Sequence, residues 1–167
     1  ILDLDLAKKI NFSDYSQLVD GRGKTHKISR YKKRFHLIDE SYNANPSSVK
    51  NAIINFSNIK INHGKKFLLL GDMLELGKKS GNYHKNLAHF INRSDIDKLF
   101  VFGENAFKTY QKTYKAKQGN ILQKLNDFDE IFSATINKDD YLMIKGSNAT
   151  GLNRLSKIII SGNKYAV

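Results

Sequence analysis

Three short apolar runs constrain the fold of this chain more than any other feature: Lys66–Leu70 (KFLLL), Lys98–Phe102 (KLFVF) and Tyr141–Lys145 (YLMIK). Each is too short for a buried helix and lacks polar alternation, so each suits a strand covered on both faces. The three run into Gly71-Asp72-Met73, Gly103 and Gly146-Ser147-Asn148 respectively. A helical spacing of apolar residues follows each loop: Tyr83, Leu87, Phe90 and Ile91; then Ala106, Phe107 and Tyr110; then Leu152, Leu155, Ile158 and Ile159, closed by Gly162.

A fourth unit of the same kind lies upstream, in His36–Pro46 (HLIDESYNANP). Leu37 and Ile38 suit a buried strand end. Asn45 as N-cap and Pro46 at the first helical position are a favoured helix start. Val49, Ala52, Ile53 and Phe56 give the helix one apolar face, and His63-Gly64 is its expected end. Strands alternating with helices predict an α/β domain: a Rossmann-like, three-layer arrangement with a mostly parallel sheet and helices on both faces. Right-handed crossovers then bring the strand-to-helix loops to one sheet edge, where open α/β sheets bind ligands. Those loops read DESYNANP, GDMLELG, GEN and KGSNATG, and all but GEN are rich in glycine, acids, amides or hydroxyls.

The remaining stretches are less regular. Lys27–Tyr31 and Phe35–Ile38 suggest two strands around a basic turn, and residues 111–123 leave room for a short strand. Asp127 with Glu130 reads as a capping box with Asp in place of Ser or Thr, ahead of the helical face Phe128, Ile131, Phe132 and Ile136. Residues 1–20 carry a brief amphipathic pattern (Leu2, Leu6, Ile10) and no signal-peptide character. Gly21-Arg22-Gly23 marks a boundary.

The 167 residues, 40% hydrophobic, suffice for one domain with a core, and no apolar run approaches a membrane span. The absence of cysteine excludes disulfides and thiolate metal sites. The net charge of +12, with Arg22, Lys24, Lys27, Arg30, Lys32, Lys33 and Arg34 crowded together, raises a nucleic-acid reading. The lysines are not interleaved with a base-stacking aromatic pattern, so a solvated basic surface fits better.

Gly23-Lys24-Thr25 resembles part of a P-loop, but Leu18 stands where that motif needs a glycine. Asp39 and Glu40 suit ribose ligands, metal ligands or turn formers. Asn43 and Asn45 suit either a turn or a site. Lys145 before Gly-Ser suits a surface lysine or an anion ligand. The five histidines lack shared metal-ligand spacing and read as surface or packing residues.

Taken together, GRG at 21–23, DESYNANP at 39–46, LLGDMLELG at 69–77 and KGS at 145–147 resemble the Mur ligases, in that family's order. Glu40 is the one departure, where the family pattern has Asp. The match is nearest to the members that join D-Ala-D-Ala to UDP-N-acetylmuramoyl-tripeptide in peptidoglycan synthesis. Such ligases are cytoplasmic, three-domain and ADP-forming, and act through an acyl phosphate. The resemblance implies that residues 1–22 end the central ATP-binding domain and its linker, and that 23–167 form the C-terminal domain. The N-terminal and central domains are then this domain's partners, and no catalytic residue is expected in this stretch, which should be inactive alone. ATP is the implied cofactor, with Mg2+ held mainly by the central domain and no metal site here. Arg22, Asp39 or Glu40, Asn43 and Asn45 fall on the nucleotide side, the acid matching the family's ribose ligand. Asp72, Lys145 and Ser147 fall on the side of the incoming peptide. The rival readings are a basic nucleic-acid-binding module and a free-standing nucleotide-binding regulatory domain.

Overall fold

The computed structural model describes residues 21–162. The expectations placed on residues 1–20 lie outside the described residues. Six strands form one sheet: β1 (Lys24–Arg30), β2 (Lys33–Glu40), β3 (Lys66–Gly71), β4 (Lys98–Phe102), β5 (Gln118–Leu122) and β6 (Tyr141–Lys145). Their spatial order is β1-β2-β6-β3-β4-β5. β1 pairs antiparallel with β2, and every other pairing is parallel. The helices are α1 (Pro46–Asn58), α2 (Ser80–Arg93), α3 (Glu104–Lys112), α4 (Asp127–Thr135) and α5 (Leu152–Ser161).

The apolar runs pack on both faces, as their composition predicts. Leu68, Leu70, Leu99, Val101 and Met143 join one core layer with α1 and α2 residues such as Val49, Ile53, Leu87 and Ile91. Their neighbours Phe67, Leu69, Phe100, Leu142 and Ile144 join the opposite layer with Phe128 and Phe132 of α4 and Leu155 and Ile159 of α5. The period of two along each strand divides one sequence between two cores.

This distribution fixes where a crevice can form. The loop after β2 leads to α1 on one face, and the loop after the adjacent β6 leads to α5 on the other. Diverging loops at neighbouring strand ends define the switch point at which such sheets bind ligands.

The β1–β2 hairpin is longer than the sequence suggests and turns on Tyr31 and Lys32, both at positive φ (55° and 59°). Left-handed backbone costs a non-glycine residue about 1–2 kcal/mol. Contacts with α4 offset that cost: the Arg30 guanidinium reaches both Asp129 oxygens at 2.8 and 3.0 Å, and the Tyr31 hydroxyl donates to the same carboxylate. Lys33 donates to the Ser133 and Ile136 carbonyls at 3.0 and 2.6 Å, capping the end of α4. Part of the basic cluster thus anchors the hairpin to its own domain.

Two local expectations are corrected. Asp127 does not head a capping box: α4 begins at Asp127 itself, and Asn126 in the N-cap position makes no side-chain cap bond. The Asp127 carboxylate instead folds back to accept from the Gln123 and Lys124 amides, at 2.9 and 3.0 Å, closing the preceding turn. α1 ends at Asn58, before His63-Gly64.

Candidate functional site

The C-terminal ends of β2, β6 and β3 carry most of the residues singled out from the sequence. Lys145, at the end of β6, is only 3% exposed. Its ammonium donates to the Asn43 carbonyl at 2.6 Å and, at 3.2 Å each, to the Glu40 carbonyl and Glu40 Oε2. The lysine therefore ties the end of β2 to the loop that follows it and pairs with one carboxylate. The Glu40 side chain keeps 27% of its surface, and none of the bonds described uses its second oxygen.

Asp39 differs from its neighbour because strand alternation turns it toward the other face. It is fully buried, and its Oδ1 accepts from the Ser41 hydroxyl at 2.5 Å and the Ser41 amide at 3.2 Å. Its Oδ2 is buried without a hydrogen-bond partner. Asn153, on the first turn of α5, donates to the Ser41 hydroxyl at 3.4 Å.

Gly21-Arg22-Gly23 lies against this strand end. The Tyr42 amide donates to the Gly21 carbonyl at 3.1 Å, and the Gly23 amide to the Asp39 carbonyl at 2.7 Å. A Cβ at Gly21 would stand 2.7 Å from the Tyr42 Cβ, at φ +79°, so only glycine fits there. Arg22 is exposed, with its guanidinium 5.0 Å from the centroid of the Tyr42 ring.

Asn45 is the N-cap of α1, as its position before Pro46 predicts. Its Oδ1 accepts from the Ser48 amide at 2.8 Å, and its own amide donates to the Ser48 hydroxyl at 3.0 Å. Asn43 is exposed, and its Oδ1 accepts from the Ala44 amide at 2.8 Å.

The β3 and β6 loops are stapled to each other. The Ser147 amide donates to the Asp72 carbonyl at 3.0 Å, and the Leu74 amide to the Ser147 hydroxyl, also at 3.0 Å. The Ser147 hydroxyl donates in turn to the Ala44 carbonyl at 3.4 Å. The Asp72 side chain turns toward α3, where its Oδ1 accepts from the Ala106 amide at 2.7 Å. It caps a helix whose own N-cap residue, Gly103, offers no side chain. A Cβ at Gly103 would come within 2.5 Å of that carboxylate.

The sequence reading passed over two contributors. Asn153 stands on a helix whose sequence pattern is set by its apolar residues, so spacing gives no signal for it. His84, among the histidines that read as surface or packing residues, is fully buried behind the β3 loop, where its ring also accepts from the Met73 amide. Among the described residues, no group of three or more acidic or histidine side chains lies close enough to hold a metal ion. None of the described helices is long and apolar enough to cross a membrane.

The arrangement is that of a doubly wound α/β domain with a charged, partly open loop edge at its switch point. Residues 25–148 match the family model described as Mur ligase, glutamate ligase domain, and the chain belongs to that family. The UDP-N-acetylmuramoyl-tripeptide–D-alanyl-D-alanine ligase of Bacillus subtilis is 31% identical over 134 residues, which cover 74% of this chain and 28% of that protein. The protein of the same name from Buchnera aphidicola (strain APS) is 30% identical over 129 residues, covering 77% of this chain and 27% of its own length. Among solved structures, the MurF ligase of Thermotoga maritima in complex with ADP superposes with a TM-score of 0.70 at 22% identity, over 94% of this chain and 35% of that one. A MurF from Acinetobacter baumannii gives 0.69 over 87% of this chain and 31% of its own. These likenesses bear out the fold read from the sequence. The chain matches less than a third of the length of these two curated relatives.

Proposed function

We propose that this chain is the C-terminal domain of an ATP-dependent, ADP-forming ligase that joins D-Ala-D-Ala to UDP-N-acetylmuramoyl-tripeptide in the bacterial cytoplasm. Family membership and the names of the Bacillus and Buchnera relatives support the reading. They favour it over the nucleic-acid and regulatory alternatives.

The observation that carries a nucleotide role here is the Glu40 carboxylate: fixed by Lys145 through one oxygen, partly exposed, and set at the switch point. A carboxylate so placed can accept from ribose hydroxyls. Asp39 suits that task poorly, being enclosed and engaged by Ser41. Arg22 supplies an exposed guanidinium beside the same strand end, suited to phosphate charge. Asn43 keeps its amide nitrogen for the nucleotide side, whereas the Asn45 carbonyl serves α1. Lys145 acts by holding the Glu40 and Asn43 backbone in place. Ser147 and the Asp72 backbone shape the edge toward the incoming dipeptide. ATP supplies the phosphoryl group that activates the tripeptide carboxylate. The donors for Mg2+ fall to the other domains, and the chain alone should be inactive.

The test uses the intact ligase. A hydrogen bond to a charged group is worth about 1.5–3 kcal/mol against about 0.5–1.5 for a neutral pair, so Glu40→Gln, which keeps an acceptor and loses the charge, should raise KM for ATP roughly five- to tenfold. Asp39→Asn should act mainly on stability. If Asp39→Asn alone raises KM, the ribose ligand is Asp39; if neither does, the ribose assignment falls.

A further inference from the structure

His84 sits on α2, outside the loops that form the candidate site, yet its ring is bound to one of them. The Met73 amide donates to His84 Nε2 at 2.9 Å. On the other side of the ring, Nδ1 lies 2.9 Å from the Ser80 carbonyl. A carbonyl only accepts, so Nδ1 carries the proton and Nε2 offers a lone pair. The network thus selects one neutral tautomer. The ring is fully buried, and the His84 carbonyl accepts from the Thr109 hydroxyl of α3 at 2.7 Å, tying that turn of α2 to the next helix.

Met73 is flanked by the two residues that staple the β3 loop to the β6 loop. The Asp72 carbonyl accepts from the Ser147 amide, and the Leu74 amide donates to the Ser147 hydroxyl. One imidazole therefore fixes the amide of the central residue, and its two neighbours hold Ser147, Asp72 through its carbonyl and Leu74 through its amide. We propose that His84 is a positioning residue for the peptide-side edge: its neutral ring sets the Asp72–Leu74 backbone, and through it the place of Ser147. The inference rests on the ligase reading above for the identity of the ligand, the incoming dipeptide.

A protonated ring would carry N–H groups on both nitrogens and oppose the Met73 N–H. Burial holds the imidazole below its ordinary pKa; the Ser80 carbonyl and the Asp72 charge pull the other way, and Lys108 on α3 adds to the lowering. Neutral pH thus keeps the acceptor, and acid removes it.

The test compares His84→Leu, which fills the space without an acceptor, with His84→Gln, whose amide oxygen can take the place of Nε2. Amide hydrogen exchange is read on the full chain by nuclear magnetic resonance, and steady-state kinetics on the intact ligase. In His84→Leu, the Met73, Leu74 and Ser147 amides should exchange at least tenfold faster while β3 and β4 strand amides keep their rates. KM for D-Ala-D-Ala should rise at least fivefold with KM for ATP unchanged, and His84→Gln should restore most of both. Lowering pH should reproduce the exchange pattern in the wild type and not in His84→Gln. Uniform acceleration across the strands would reduce His84 to a packing residue. Acceleration confined to Met73, or local acceleration with unchanged dipeptide KM in an active ligase, would overturn the proposal equally. A wild-type intact protein without ligation activity would instead refute the ligase reading, and the exchange pattern alone would then decide the role of His84.

Discussion

Replacing Lys145 with methionine tests whether one buried ammonium organises the loop after β2. Methionine keeps most of the apolar stem and removes three donated bonds: to the Asn43 carbonyl at 2.6 Å and to the Glu40 carbonyl and carboxylate at 3.2 Å. Leaving a buried acceptor without a donor costs about 1–3 kcal/mol. Two carbonyls lose theirs, although the loop can shift to recover water at one of them. Breaking a fully buried ion pair costs about 3–5 kcal/mol, but the Glu40 carboxylate is partly exposed and rehydrates, so its share is smaller. The sum is about 2–4 kcal/mol.

At roughly 2–4 °C per kcal/mol for a domain near this size, Tm should fall by about 5–15 °C in a circular-dichroism melt. Glu40→Gln provides the internal control, because it removes the charge but leaves an oxygen facing the ammonium. It should cost under about 1 kcal/mol, the range of a partly exposed pair. A Lys145→Met protein melting within about 2 °C of wild type would refute the anchoring argument, since it would mean that the carbonyls find water without cost.

Two further predictions concern stability. Asp72→Ala should lower the urea midpoint by the loss of a helix cap, about 1 kcal/mol, while Asp72→Asn, which retains an acceptor for the Ala106 amide, should lose less; equal midpoints for Asp72→Ala and wild type would refute the cap. Burial depresses the His84 and His36 imidazoles in the folded protein below their ordinary 6.5, so the unfolded chain binds protons that the folded one refuses. Stability should therefore be full above pH 6.5 and fall as pH drops from there toward the folded values, and His84→Gln should flatten part of that slope in urea titrations at stepped pH.

The fold was legible because burial on two faces writes itself directly into KFLLL, KLFVF and YLMIK. β5 was only suspected, because an edge strand with polar residues (QGNIL) carries little of that signal. The start of α1 was legible because Asn-Pro is a local device, complete within one turn. The start of α4 was misread because a carboxylate near a helix start has several amides in reach, and Asp127 takes those behind it. The same ambiguity governs the site. Asp72 can be placed on the loop edge from sequence, but whether it faces a ligand or caps α3 depends on Gly103, far along the chain and without a side chain of its own. Asp39 and Glu40 are adjacent in sequence and opposite in environment, and only the β2–β6 register, with Glu40 beside Lys145, separates them.

The bonds along the loop edge also bear on how such a domain can take part in ligation. Loops that close over a ligand need residues free to change backbone angles, and they draw on regions with few tertiary hydrogen bonds. Here the loops after β2, β3 and β6 are bound to one another through Lys145, Ser147 and the Asp72 carbonyl, and the β3 loop is bound from behind by His84. Gly21 is itself hydrogen-bonded to Tyr42 of the loop after β2, and Gly23 to Asp39 near the end of that strand. An edge tied in this way presents a fixed surface, with Arg22, Tyr42 and Leu74 exposed along it. Its ordering entropy is met during folding rather than at binding, which favours affinity from a preset geometry. In the proposed ligase, approach to the nucleotide then falls to movement of the domain as a body and not to the folding-over of its loops.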